Sequence, residues 1–220
     1  MRTERINAFS DGVIAILITI LVLELKIPHG ADLADLSGLL PVFLAYVLSF
    51  VVIAIYWNNH HHMLYLTDRI TGGILWANLH LLFWLSLMPF VTGWMGENHF
   101  APLPTALYGV VLLFAGVAYY ILEQTIIRSQ GASSRLREAV GGDRKGVISV
   151  VLYAVAIPLA FVNQLLSDAL YVLVALMWLV PDRRIEKRFE AAAQEEEEEE
   201  FLANKRAPFS SKGRKGHDGR

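Results

Sequence analysis

Long apolar runs alternate with short polar breaks over the first 180 residues of this chain. Ile70 to Met95 carries no charged side chain, and neither does Leu103 to Leu122 or Gly146 to Val162. A hydrocarbon core about 30 Å thick is crossed by roughly 20 apolar residues in a helix, so these runs predict membrane spans. Six are read, at about Phe9–Ile27, Leu39–His60, Ile70–Met95, Leu103–Ile127, Gly146–Val162 and Leu165–Val180. Turn chemistry separates them: Pro28-His29-Gly30 closes the first, Pro102 and Pro104 open the fourth, and Gly141-Gly142 precedes the fifth. Only Asn163-Gln164 parts the last two short spans, with Asp168 close behind, so one bent re-entrant hairpin is the alternative there.

Charge orients the spans. With both termini in the cytoplasm, every one of the 19 Lys and Arg residues except Lys26 falls on an inner segment. The outer segments carry Asp32, Asp35, Glu97 and Asp168 instead. The expected architecture is therefore an all-α membrane protein of six transmembrane helices, multi-pass in the cell membrane, with cytoplasmic N- and C-termini. Leu25-Lys26-Ile27-Pro28 after the first helix offers no small-residue cleavage site, so that helix reads as retained. Residues 1–181 form the expected six-span domain. Residues 182–220 form a charged tail, partly helical and then disordered, with six consecutive glutamates at Glu195–Glu200 that repel one another. The chain is 55% hydrophobic and has no cysteine, which removes disulfides and thiolate chemistry.

The first span opens on Arg5, Ser10, Asp11 and Gly12 and then turns apolar. At 100° per residue, Ile16, Ile20, Leu23 and Ile27 share one narrow stripe, Thr19 stands about 60° to one side, and Asp11 lies nearly opposite. Two readings follow. In one, the stripe faces lipid or another helix, and Ser10 and Asp11 cap the helix start. In the other, copies of the stripe meet on an axis, and rings of branched side chains make a hydrophobic constriction. Asp11 would then tie the helix to its own bundle, with Arg5 as a partner.

Arg5-x-x-x-Phe9-Ser10-Asp11-Gly12 followed by an apolar, threonine-containing helix resembles the signature of the lysosomal/endosomal potassium channel family, the transmembrane protein 175 family, in its bacterial form. Tyr56-Trp57, the His60–His62 cluster, Thr67-Asp68-Arg69, Trp76-x-Asn78-Leu79 and Pro89 extend the likeness over about residues 2–180. The resemblance implies a potassium channel without a P-loop filter, in which the first helix lines the pore. It maps the constriction to Ile16, the next layers to Ile20 and Leu23, and a selectivity threonine to Thr19. It maps a polar network behind the pore helix to Arg5, Ser10, Asp11, Trp57, Asn78 and one of His60, His61 and His62. With one six-span unit per chain, it implies a homotetramer. Potassium is then the permeant ion, no cofactor is needed, and the partners are further copies of the chain and membrane lipids.

Other constellations carry less. Three adjacent histidines point about 100° apart and cannot all ligate one metal. Glu24 near the outer end either gathers cations at an outer mouth or pairs with Lys26. Glu123 reads as snorkelling or paired with Arg128. No phosphate loop, nucleophile elbow or His-Glu-x-x-His pair supports an enzyme, and nucleic-acid binding would rest on the basic tail alone. The rivals to a channel are a transporter or proton-leak pathway through Asp11, Glu123 and histidine, and a non-conducting scaffold.

Overall fold

The computed structural model describes residues 3–67, 69–131, 134, 136–137 and 144–179; in it the first helix stops at Leu23, short of Ile27, and the second span runs past His60 to Tyr65. Arg2, Asp68, Arg135, the Gly141-Gly142 turn and the tail 182–220 lie outside those residues. Among the described residues all regular structure is helical: α1 Thr3–Leu23, α2 Leu33–Ser37, α3 Leu40–Tyr65, α4 Gly72–Ser86, α5 Met88–Glu97, α6 Pro102–Gln130, α7 Arg144–Leu159 and α8 Gln164–Leu179. Among the described residues, four stretches are long and apolar enough to cross a membrane: α1, α3, the tandem α4–α5 (Gly72–Glu97), and α6. The fifth and sixth expected spans appear as two helices, α7 and α8, of 16 residues each. That length gives about 24 Å of helix, less than a full hydrocarbon core.

Local chemistry sets the boundaries. Pro89 sits in the first turn of α5 and has no N–H to continue the ladder from α4, so the third span breaks at Leu87. The Thr71 hydroxyl accepts from the Ile74 N–H at 3.4 Å and caps α4. His99 and Phe100 take left-handed conformations (φ 52° and 60°) at the tight turn between α5 and α6. Gly131, φ 71°, lets the chain leave α6 in a conformation that disfavours a side chain. Asn163 opens α8, its Oδ1 accepting from the Leu166 N–H at 3.2 Å.

The helices pack as a graded bundle. α1 lies against α3, α4 and α5 at one edge, α6 bridges from α4 and α5 to α7, and α8 closes on α7 and α3 at the far edge. Lipid tails are as apolar as leucine, so close packing and interhelical hydrogen bonds hold such helices together. Gly96 shows how close: a Cβ there would stand 2.7 Å from the Val42 backbone. Inside the bundle the Ser49 hydroxyl lies 2.6 Å from that of Thr92 and 3.1 Å from that of Tyr108, linking α3, α5 and α6. At one end, Thr3 donates to the Thr67 carbonyl (3.3 Å) and Gln130 to the Leu66 carbonyl (3.1 Å). At the other, Lys26 and Glu97 form an ion pair.

Candidate functional site

Helix α1 begins at Thr3, so Ser10 and Asp11 lie two turns inside it and are not its caps. The helix has three faces. Ile6, Ser10, Ile14, Leu17 and Leu21, spaced four, four, three and four apart, are buried against the bundle. Roughly 110° around the axis, the Ile16 stripe lies on the exposed side of α1 among the described residues. Ile16 is 58% exposed, Ile20 36% and Leu23 76%. Thr19 is exposed beside it, and its hydroxyl donates to the Ile16 carbonyl at 2.8 Å, one turn back on its own helix. Ile27 lies beyond the end of α1 and is 87% exposed.

Ser10 and Asp11 leave α1 in different directions and meet different helices. The Ser10 hydroxyl, fully buried, accepts from Asn78 Nδ2 of α4 at 3.0 Å. Asn78 Oδ1 stands 2.7 Å from His60 Nε2 of α3. With the amide oriented this way, the proton of that contact belongs to His60 Nε2. Three helices are thereby joined by one buried line of polar atoms, each with a partner, as the low-dielectric interior requires. Asp11 instead accepts from the Trp57 indole Nε1 at 2.9 Å on the exposed side of the α1–α3 contact, a charge-assisted bond. His61 stacks on Trp57 with ring centroids 6.1 Å apart, and its own ring meets that of His62 edge-on. Of the three adjacent histidines, His60 is the one that turns inward. Arg5 is exposed at the start of α1, and no contact joins it to Asp11 among the described residues.

At the far end of α1, Glu24 lies at the edge of the buried face, about 80° from the Ile16 stripe. Its carboxylate rests over Gly93 of α5, where a Cβ would come within 2.6 Å of Oε2. Lys26 pairs with Glu97 and not with Glu24. Gly93 and Glu97 had no signal in the sequence beyond glycine and acid near a span end. The buried stripe of α1 had the right spacing, but nearly every neighbouring position is also apolar, which hides it. Glu123 is buried in α6 and accepts from Gln124 Nε2 at 3.1 Å.

Apolar helices of membrane-crossing length, one of them docked by polar contacts along one flank and bare along another, define an α-helical membrane protein. The family model described as endosomal/lysosomal potassium channel TMEM175 matches residues 5–89. A protein of Chryseobacterium sp. (strain P1-3) named as a potassium channel is 52% identical over 187 residues, 85% of this chain and 97% of that one. The chain belongs to this TMEM175 family. Among solved structures, that of a lysosomal potassium-selective channel TMEM175 homolog from Chamaesiphon minutus matches with a TM-score of 0.72 at 28% identity, covering 81% of this chain and 96% of that chain. A chicken relative, named an endosomal/lysosomal proton channel, is 43% identical over 77 residues, 29% of this chain and 15% of that one.

Proposed function

We propose that this protein is a homotetrameric potassium channel of the cell membrane, each chain crossing six times with both termini in the cytoplasm. In this reading α7 and α8 are the fifth and sixth spans, residues 1–181 form the channel domain, and 182–220 form a cytoplasmic tail. Four α1 helices surround the ion path. Rings of Ile16, Ile20 and Leu23 form the constriction, with Thr19 beside them and Glu24 near the outer mouth. Potassium passes Ile16 partly dehydrated, and the same apolar rings stop flow by dewetting when they narrow. The Ser10–Asn78–His60 line and the Asp11–Trp57 bond hold α1 from behind.

One observation carries this reading. The Ile16 stripe is left bare on the outside of the protomer while the adjacent face of the same helix is docked with polar contacts that fix its rotation. A symmetric constriction needs its branched side chains held in one fixed direction, which this docking provides. The names of the bacterial relatives supply the ion. The chicken relative's name favours a second reading, in which protons take the same route.

Purified protein in liposomes tests both. Voltage-driven flux of potassium above sodium, with no coupled ion, is expected, while proton flux read with an internal pH dye separates the second reading. Ile16→Asn wets the constriction and is expected to raise total cation flux severalfold while weakening potassium preference. Unchanged flux in Ile16→Asn would remove Ile16 from the constriction.

A further inference from the structure

A cavity of about 400 Å³ opens on the edge of the bundle farthest from α1, between α3, α6, α7 and α8. Its size lies within the range of small-molecule sites. Its walls are almost wholly apolar, with Val147, Val150 and Val151 of α7 facing Gly116 of α6. Asn59, Ser149 and the tyrosines Tyr56, Tyr119, Tyr120 and Tyr153 add a few polar atoms to the lining. At one end the Trp178 indole lines the cavity and donates to the Ser149 hydroxyl at 2.8 Å. Lys145 Nζ lies 5.9 Å from the Trp178 ring centroid. Lys145 belongs to the basic inner segments, and a tryptophan beside a lysine at a span end marks the headgroup level. The cavity is thus mostly apolar, with a cation beside its Trp178 end.

We propose that this cavity holds one acyl chain of an anionic phospholipid of the inner leaflet, with the headgroup phosphate against Lys145. The charge at the mouth selects an anionic headgroup, as basic pockets between membrane helices do on the cytoplasmic side. The position selects lipid over a second copy: the α1 stripe that copies would share lies at the opposite edge of the bundle. The leaflet rests on the orientation proposed above; the lipid itself does not depend on ion conduction. The space beside Gly116 is open: a Cβ there would meet only the Tyr56 hydroxyl at 3.8 Å and Val150 Cγ2 at 3.9 Å, both ordinary contacts, so only a larger side chain would fill it.

Native mass spectrometry of the full chain, offered equal phosphatidylglycerol and phosphatidylcholine, tests the site. The parent is expected to retain phosphatidylglycerol about fivefold over phosphatidylcholine, the factor a single lysine near the surface contributes. Lys145→Gln should bring that ratio to about one, and Gly116→Leu should remove both lipids while leaving the oligomer mass unchanged. No preference in the parent, an unchanged preference in Lys145→Gln, or full lipid occupancy in Gly116→Leu overturns the proposal. A change of oligomer mass in Gly116→Leu overturns it too, because the cavity would then be a contact between copies. The chain has no cysteine, so Lys145→Cys can be labelled alone. Labelling from outside the cell would overturn the orientation and the leaflet whatever the lipid count, whereas lost flux with intact lipid retention would touch only the channel reading.

Discussion

Replacing Asn78 with leucine tests what holds α1 in its rotation. Leucine keeps the branched outline of asparagine and is somewhat larger, so the change removes hydrogen bonds without leaving a cavity. Two buried groups lose a partner: the His60 Nε2–H and the Ser10 hydroxyl. An orphaned buried group costs about 1–3 kcal/mol in proteins. Interhelical hydrogen bonds inside membranes couple more weakly, about 0.6 kcal/mol on average and up to about 1.7, because the separated helices find other partners. Two orphans at the lower part of the first range give a loss of about 2–4 kcal/mol. For a chain of this size, each kcal/mol shifts the melting temperature by about 2–4 °C, so roughly 5–15 °C is expected. Thermal unfolding in detergent, followed by tryptophan emission, reads it. Ser10→Ala orphans only the Asn78 amide and should cost less than half as much. In the double variant the two losses should fall short of their sum, because the Ser10–Asn78 bond is shared. A melting temperature within 1 °C of the parent in Asn78→Leu, or strict additivity in the pair, would refute the claim that this line docks α1.

Other predictions follow from packing and charge. Gly96→Val drives a Cβ into the Val42 backbone across the α3–α5 contact and should cost at least about 1–3 kcal/mol, seen as a lower melting temperature, whereas Gly116→Ala should be nearly neutral. Glu97→Gln breaks the exposed pair with Lys26 and should leave the melting temperature nearly unchanged, with any small shift vanishing as salt is raised in the same melt.

Much of the helical skeleton was legible because a membrane helix writes itself as length without charge. The first four spans stand out this way, and Pro102 and Asn163 open helices where their turn chemistry is strong, whereas α1 stops at Leu23, ahead of Pro28, and α3 runs past His60 to Tyr65. The rest was hidden for the same reason. In a helix that is apolar on all sides, periodicity cannot separate the face that meets protein from the face that meets lipid. Leu17 and Ile16 are both apolar in the sequence, yet one is 6% and the other 58% exposed. Polar residues carry more information there, since each needs a partner. Even so, Ser10 and Asp11 are neighbours that bond to different helices, and three consecutive histidines differ only by their angle about α3. Gly93 beneath Glu24 was illegible because a close approach depends on which helix lies opposite, not on either residue alone.

The break at Leu87 has a mechanical consequence for α1. Two separately oriented segments grip the same rod: α4 near Ser10 through Asn78, and α5 near Glu24 through Gly93. These grips lie roughly 21 Å apart along the rod. A 5° change in the angle between α4 and α5, taken over the roughly 9 Å from Leu87 to Gly93, would shift one grip against the other by about 0.8 Å, enough to lose a sizeable part of a close-packed contact. The rod must then tilt as a unit or let go at one end. Any force that flexes the third span is delivered as a lever stroke to the row of isoleucines on α1.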